Sequence, residues 1–393
     1  MNFEPNYRPK LRSIDVLPFE WEGKEVFLLR DPLGYSEGIL LIPKVLGPLL
    51  AALDGRHSLR DLQALATRLF GRLVMLEEIE DFLRNLEEHY FLEGPNFEAL
   101  KAEKTKEFLS APARSPSHAG KSYPEDPEEL KTFLASILGG WPERRDHHPR
   151  ALIAPHIDIT SGAKAFAAAY AGLSWPKRAR VVVFGTGHFM ESLVSFLAKD
   201  FETPLGRVSC DRKWLNALEK KLGNLSGDVL AHRTEHSIEF QVLFLQYLLG
   251  SEFRLVPVLV ASPSPAEKNF FETLATEISA LCDEETYFVA GVDFCHLGLR
   301  YGDPKPTGEP EKKEALLFDH KLLIKVINLE AEALYHTLLE DGQRYKVCGF
   351  GPLFLLLKTL SGRKLKGKIL HQEAVDFGPG SIVSFAAAAL YEE

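Results

Sequence analysis

Three apolar runs in this chain each stop abruptly at a potential metal ligand. Ala151-Leu-Ile-Ala-Pro155 runs into His156, Val181-Val-Val-Phe184 into Gly185-Thr-Gly-His188, and Tyr287-Phe-Val-Ala290 leads on to Asp293-Phe-Cys295-His296. Short apolar runs bounded by Gly and Pro read as fully buried strands. In open α/β sheets the ligand crevice lies outside the carboxyl ends of such strands, so these distant residues would be gathered into one pocket. Pro155 fixes the backbone ahead of His156, and the glycines at 185 and 187 allow a tight turn that exposes His188. A thiolate at Cys295 would complete a facial set with the two imidazoles, a set suited to a transition metal.

Around these runs, apolar strands alternate with helical patterns. Helices are expected over 162–173, 211–222, 238–249 and 265–281, and strands over 181–184, 254–260 and 287–290. This succession implies an α/β fold with a central, mostly parallel sheet flanked by helices. Further helices near 315–327, 331–339 and 352–359 and strands over 368–375 and 381–390 complete the domain, which is expected to span 127–393. With 393 residues there is room for a second, smaller unit over 1–100. It should begin with strands at 26–29 and 38–42 around the turn Asp31-Pro-Leu-Gly34. Ser58 and Asp61 then form a capping box for a helix that Gly71 closes, and a second helix carries the stripe Ile79, Phe82, Leu83, Leu86 and Tyr90. Residues 101–126, a charged stretch followed by Ala111-Pro-Ala-Arg-Ser-Pro-Ser117, read as a linker.

A net charge of −9 leaves no basic footprint for nucleic acid, and the helix after Leu76 is itself acidic. The first nine residues lack the apolar core of a signal peptide, and no apolar run is long enough to cross a bilayer, so a cytoplasmic location without membrane contact is expected. The four cysteines form no Cys-x-x-Cys pair, which argues against a disulfide framework or a zinc knuckle.

A further cluster, Thr234-Glu-His-Ser-Ile-Glu-Phe-Gln241, opens an apolar helix. Glu235 and Glu239 are four apart and share a face; acids there complement the helix dipole, while His236 is a candidate general base or extra ligand. Cys348, ahead of a Gly-rich turn and a helix start, has either a depressed pKa or a packed, inert role.

The segments Ala154-Pro-His156, Gly185-Thr-Gly-His188, Glu235-His-Ser-Ile-Glu239, Pro257-Val-Leu-Val260, Asp293-Phe-Cys-His-Leu-Gly298 and Cys348-Gly349 occur in an order that resembles the Memo family, including its "AmmeMemoRadiSam system protein B" members. The resemblance spans about 117–393 and takes in Ser117-His-Ala-Gly-Lys-Ser-Tyr123. It implies a fold similar to class III extradiol dioxygenases, with His156, His188 and Cys295 at the metal positions, His236 at the position of the dioxygenase base, and iron or copper as the metal. It also implies a radical-SAM protein and an AMMECR1-like protein as partners. The N-terminal stretch resembles PqqD-like winged-helix domains in Leu53-Asp-Gly-Arg-His-Ser-Leu-Arg-Asp-Leu62 and Leu83-Arg-Asn-Leu-Glu-Glu-His-Tyr-Phe-Leu92, which implies a docking site for a peptide or partner. Departures from the family pattern are Ile157-Asp158-Ile159, Phe189 and Phe350-Gly351. Asp158 is expected to compensate as a partner of the ligands or as an acid/base, which puts it with Glu235 and His236 among the catalytic candidates. The leading expectation is a metal-binding redox protein; an extradiol-type dioxygenase and a non-catalytic peptide- or protein-binding module are the alternatives.

Overall fold

The computed structural model describes residues 4, 6–36, 38–141 and 148–393, so part of the leader segment considered above lies outside the described residues. The chain divides into two compact units, Met1–Ala111 and Pro112–Glu393.

In the first unit, strands β1 (Asp15–Trp21), β2 (Lys24–Arg30) and β3 (Ile39–Pro43) form an antiparallel sheet in that order. Helices α1 (Gly47–Ala51), α2 (Leu59–Phe70), α3 (Leu76–Glu88) and α4 (Pro95–Ser110) follow. The expected capping box is formed: Ser58 N–H donates to Asp61 Oδ2 at 2.8 Å and Asp61 N–H to Ser58 Oγ at 3.3 Å, while Gly71 ends α2 at φ 63°. Leu59, Leu62 and Ala66 of α2 share a core with Ile79, Leu83 and Leu86 of α3. Strand β1 has no counterpart in the sequence expectation. It is an edge strand with Pro18 inside it and an exposed second half, so no alternation marks it.

The expected linker over 101–126 is not what the structure shows. Helix α4 runs on to Ser110 with only Phe97 and Phe108 buried. Its charged surface, with an exposed Lys104–Glu107 pair three residues apart, reads as a solvated linker while being helical. From Pro112 the chain already belongs to the second unit.

The second unit opens with β4 (Ala113–Arg114), α5 (Pro127–Gly139), β5 (Ala151–Ala154), α6 (Ala163–Tyr170) and β6 (Arg180–Thr186). Short strands β7 (Val194–Phe196), β8 (Asp200–Thr203) and β9 (Gly206–Cys210) lead to α7 (Arg212–Leu222), α8 (Ala231–Thr234), α9 (His236–Leu249) and β10 (Arg254–Val260). Then come α10 (Lys268–Leu281), β11 (Thr286–Gly291), β12 (His296–Gly298), α11 (Glu309–Ile327), α12 (Ala331–Tyr345), α13 (Phe350–Thr359), β13 (Leu365–Asp376) and β14 (Ser381–Glu392). They build an 11-stranded mixed sheet whose centre, β5-β11-β6-β10, is parallel, with antiparallel β14 beside β5.

β5 and β6 are buried along their whole length, which is why they read as continuous apolar runs. Alternate residues face two helical layers. Val182, Phe184, Val256, Val258 and Ala290 pack with Leu353 and Leu357 of α13, whereas Gly185 lies against Ser237 and Ile238 of α9. The parallel strands therefore deliver the residues after β5, β6 and β11 to one edge. Among the described residues no helix is long and apolar enough to cross a membrane.

Candidate metal centre

His156 and His188 meet at that edge as expected, with ring centroids 5.0 Å apart. The buried His156 donates its Nδ1–H to Gly291 O (2.9 Å) at the end of β11, and its backbone N–H to Asp293 Oδ1 (3.0 Å). His188 has its Nδ1 at 3.0 Å from Glu235 Oε2. Each ring thus has Nδ1 tied to an oxygen, which leaves Nε2 to face the site.

The third candidate donor is Cys348. Its Sγ lies 3.6 Å from His156 Nε2, and one ligand atom from each of His156, His188 and Cys348 falls within 4.8 Å of the others. The Gly-rich turn makes this approach feasible. A Cβ on Gly349 would come within 2.8 Å of Asp293 O, and one on Gly351 within 2.1 Å of Ala261 O, so any larger residue would push the loop off the strand ends. Burial alone would raise the Cys348 thiol, but the His156 and His296 charges and hydrogen bonds from His156 and His188 bring it down to about 5. His156 responds in the opposite sense: burial disfavours its charged form, yet Asp293 and Cys348 raise it to about 9. Negative charge from Cys348, Glu235 and Asp293 therefore converges where the two rings point, a field that favours a cation.

Cys295, the expected ligand, faces elsewhere. Its backbone bonds to Ser384 of β14 on both sides, N–H to Oγ at 2.8 Å and Ser384 N–H to its carbonyl at 3.0 Å. This pairing turns the fully buried thiol toward α11, where it donates to Asp319 Oδ1 at 3.0 Å. Burial and the Asp319 charge push the Cys295 thiol far up, so it stays protonated and unsuited to ligation. Asp158 does not reach the donors either, because its Oδ1 closes a turn before α6 by accepting Ser161 N–H (2.9 Å) and Oγ–H (3.0 Å).

Glu235 combines both roles weighed for it. It caps α9 by accepting Ser237 N–H at 2.9 Å, and with its other oxygen it orients His188. Burial would raise its carboxyl, but the charge of His188, its hydrogen bond to Glu235 and the Ser237 N–H hold it well below the usual range. The His236 ring stacks on His188 (5.3 Å, 9°) and meets His156 edge-on (5.2 Å, 90°). Burial keeps that imidazole neutral, well below its ordinary value despite Glu235. His236 is thereby suited to accept a proton beside the donors.

His296 was missed by sequence reasoning as part of the site. Its Nδ1 lies 3.0 Å from Phe294 O and 3.2 Å from Lys346 O, its ring meets Tyr301 at 5.0 Å, and its charge is one of those that lower the Cys348 thiol. Of the departures from the family pattern, Phe189 is 44% exposed beside His188, whereas Phe350 packs away from the donors against Tyr335 and Phe354.

The fold and site define an α/β protein with a candidate two-histidine, one-cysteine centre at the carboxyl edge of its parallel strands. Residues 114–389 match the family described as Memo-like protein. A MEMO1 family protein of Aquifex aeolicus is 31% identical over 390 residues, covering 98% of this chain and 100% of that protein. A MEMO1 family protein of Methanopyrus kandleri is 32% identical over 253 residues (61% of this chain, 83% of that protein), and one of Methanosarcina barkeri 28% over 245 residues (62% and 85%). The chain belongs to the Memo-like family. The match begins at Arg114, inside the stretch that reads as a linker by composition.

Proposed function

We propose that this protein holds iron or copper between His156, His188 and Cys348 and uses it in a redox reaction for which His236 accepts a proton. The observation that carries the reading is the convergence of two Nδ1-anchored imidazoles on a cysteine drawn toward its thiolate. Thiolate and imidazole together favour soft or borderline first-row ions over magnesium or calcium. When bound, such an ion would supply one-electron or Lewis-acid chemistry. The chain's own contribution is to fix both rings through Gly291 O and Glu235, and to keep His236 neutral next to them.

Elemental analysis of anaerobically purified protein is expected to show near-stoichiometric iron or copper. Cys348→Ser should weaken metal affinity by about 10–100-fold or more, on the scale set by perturbing such sites, while Cys295→Ser keeps the metal. The assignment fails if Cys348→Ser retains the wild-type metal content.

A radical-SAM protein and an AMMECR1-like protein are proposed as partners, with Met1–Ala111 as the docking module for a peptide or partner. Deleting residues 1–111 is expected to abolish capture of the purified radical-SAM protein and leave metal content unchanged. Undiminished capture by the shortened chain would contradict this role.

A further inference from the structure

The segment 113–123 is a strap bonded across the start of α9. The fully buried Arg114 pairs with Glu239 and donates Nε–H to His232 O (2.9 Å) and Nη2–H to Glu235 O (2.9 Å). Glu239 also accepts Ser117 N–H (3.1 Å), His118 N–H (3.0 Å) and the Tyr123 hydroxyl. His118 is thereby fixed through its backbone, and its ring is fixed a second time by Nε2–H donating to Thr234 O at 2.9 Å.

The ring so held stands 5.5 Å from that of His236 and 5.6 Å from that of Phe240. His236 is confined mostly by rings. His156, His188, Phe240 and His118 surround it, and its polar contact among the described residues is Nδ1 at 3.3 Å from Glu235 Oε1. That distance is too long to fix a ring plane by itself. Of the surrounding rings, His118 alone comes from outside the strand ends and α9, on a segment held to Glu239 and to Thr234 O rather than by His236 itself.

We propose that His118 is a positioning residue of the centre: its ring is the wedge that fixes the plane of His236 against His156 and His188. The strap is then part of the site's wall, and the orientation of His236 depends on a side chain far upstream of the strands that carry the donors. The inference concerns ring orientation in the folded chain and holds with or without metal.

Long-range proton–nitrogen correlation spectra of the full-length, chelator-treated protein labelled at histidine nitrogens test it, with the His236 signals assigned by their absence in His236→Gln. His118→Ala is expected to shift or broaden the His236 ring signals. His118→Phe restores the ring contact without the bond to Thr234 and should return them toward their wild-type positions. His118→Gln keeps a donor for Thr234 O without the ring and should not. The strap's bonds to Glu239 run through the backbone and other side chains, so the fold is expected to survive all three changes, as thermal melts would show. Unchanged His236 signals in His118→Ala, or rescue by Gln and not by Phe, would overturn the proposal.

Discussion

Arg114→Met is expected to lower the unfolding free energy by about 3–5 kcal/mol, the usual cost of stranding one partner of a buried ion pair. Arg114 and Glu239 are both fully buried, and the guanidinium also satisfies the carbonyls of His232 and Glu235. Methionine fills much of the volume but supplies no donor, so a carboxylate and two carbonyls lose their partner together. Denaturant titration with an unchanged slope would measure the loss; a change below about 1 kcal/mol would refute the account. The double change Arg114→Met with Glu239→Gln should recover part of it, because the stranded charge is gone while an amide oxygen still accepts from the strap donors Ser117, His118 and Tyr123.

The pH dependence gives a second signature of the same pair. Burial would raise the Glu239 carboxyl, but Arg114, His118 and the Tyr123 hydroxyl bring it down to about 2. A depressed carboxyl contributes stability that is present above its unfolded pKa, near 4.5, and lost as pH falls toward 2. The stake is about 3 kcal/mol, and that acid limb should be shallower in Arg114→Met. Truncation follows the same logic. A chain starting at residue 127 strands Glu239 and should aggregate, whereas one starting at 112 keeps the strap.

Much of the site was legible because its framework is local. The runs before His156 and His188 are continuous buried strands, and parallel packing sends both histidines to one edge without any detail of side-chain contact. The choice of cysteine was not legible. Cys295 and Cys348 each sit by a potential strand end or turn, and what separates them is remote in sequence. Asp319, 24 residues downstream, claims one thiol, and the close approach of Gly349 to Asp293 delivers the other. The strap was hidden for a related reason. Ser115-Pro-Ser117 has a linker's composition because its polar groups are satisfied by Glu239, more than 120 residues away. Strands β7, β8, β9 and β12 are three to five residues long, too short for an alternation to register. His296 was passed over because its neighbour Cys295 looked like the ligand, when the histidine itself was the residue whose charge helps lower the Cys348 thiol.

The buried acid that holds Cys295 leads to the other large expected effect, one of opposite sign to that of Glu239. Burial raises the Asp319 carboxyl to about 7, the Asp293 charge adds to the shift, and the Cys295 thiol opposes it only in part. Among the described residues its Oδ2 has no hydrogen-bond partner. An acid whose folded pKa lies above its unfolded value of 3.8 binds a proton more tightly in the folded chain. Stability attributable to it is therefore highest below pH 3.8, falls as pH rises toward 7, and levels off above that. The span is about 4 kcal/mol, a cost borne in full by the wild-type chain at pH 8. Asp319→Asn keeps an acceptor for the Cys295 thiol and removes the ionisation, so its unfolding free energy should lose this downward limb between pH 5 and 8. Part of the gain at pH 8 will be offset by about 1–3 kcal/mol, because the new amide N–H meets no acceptor where Oδ2 had none. The slope, free of that constant offset, is the quantity to measure by denaturant titration across the range. A variant whose stability falls between pH 5 and 8 as steeply as the wild type would mean that Asp319 is ionised throughout, and that the thiol of Cys295 faces a carboxylate charge held by some other means.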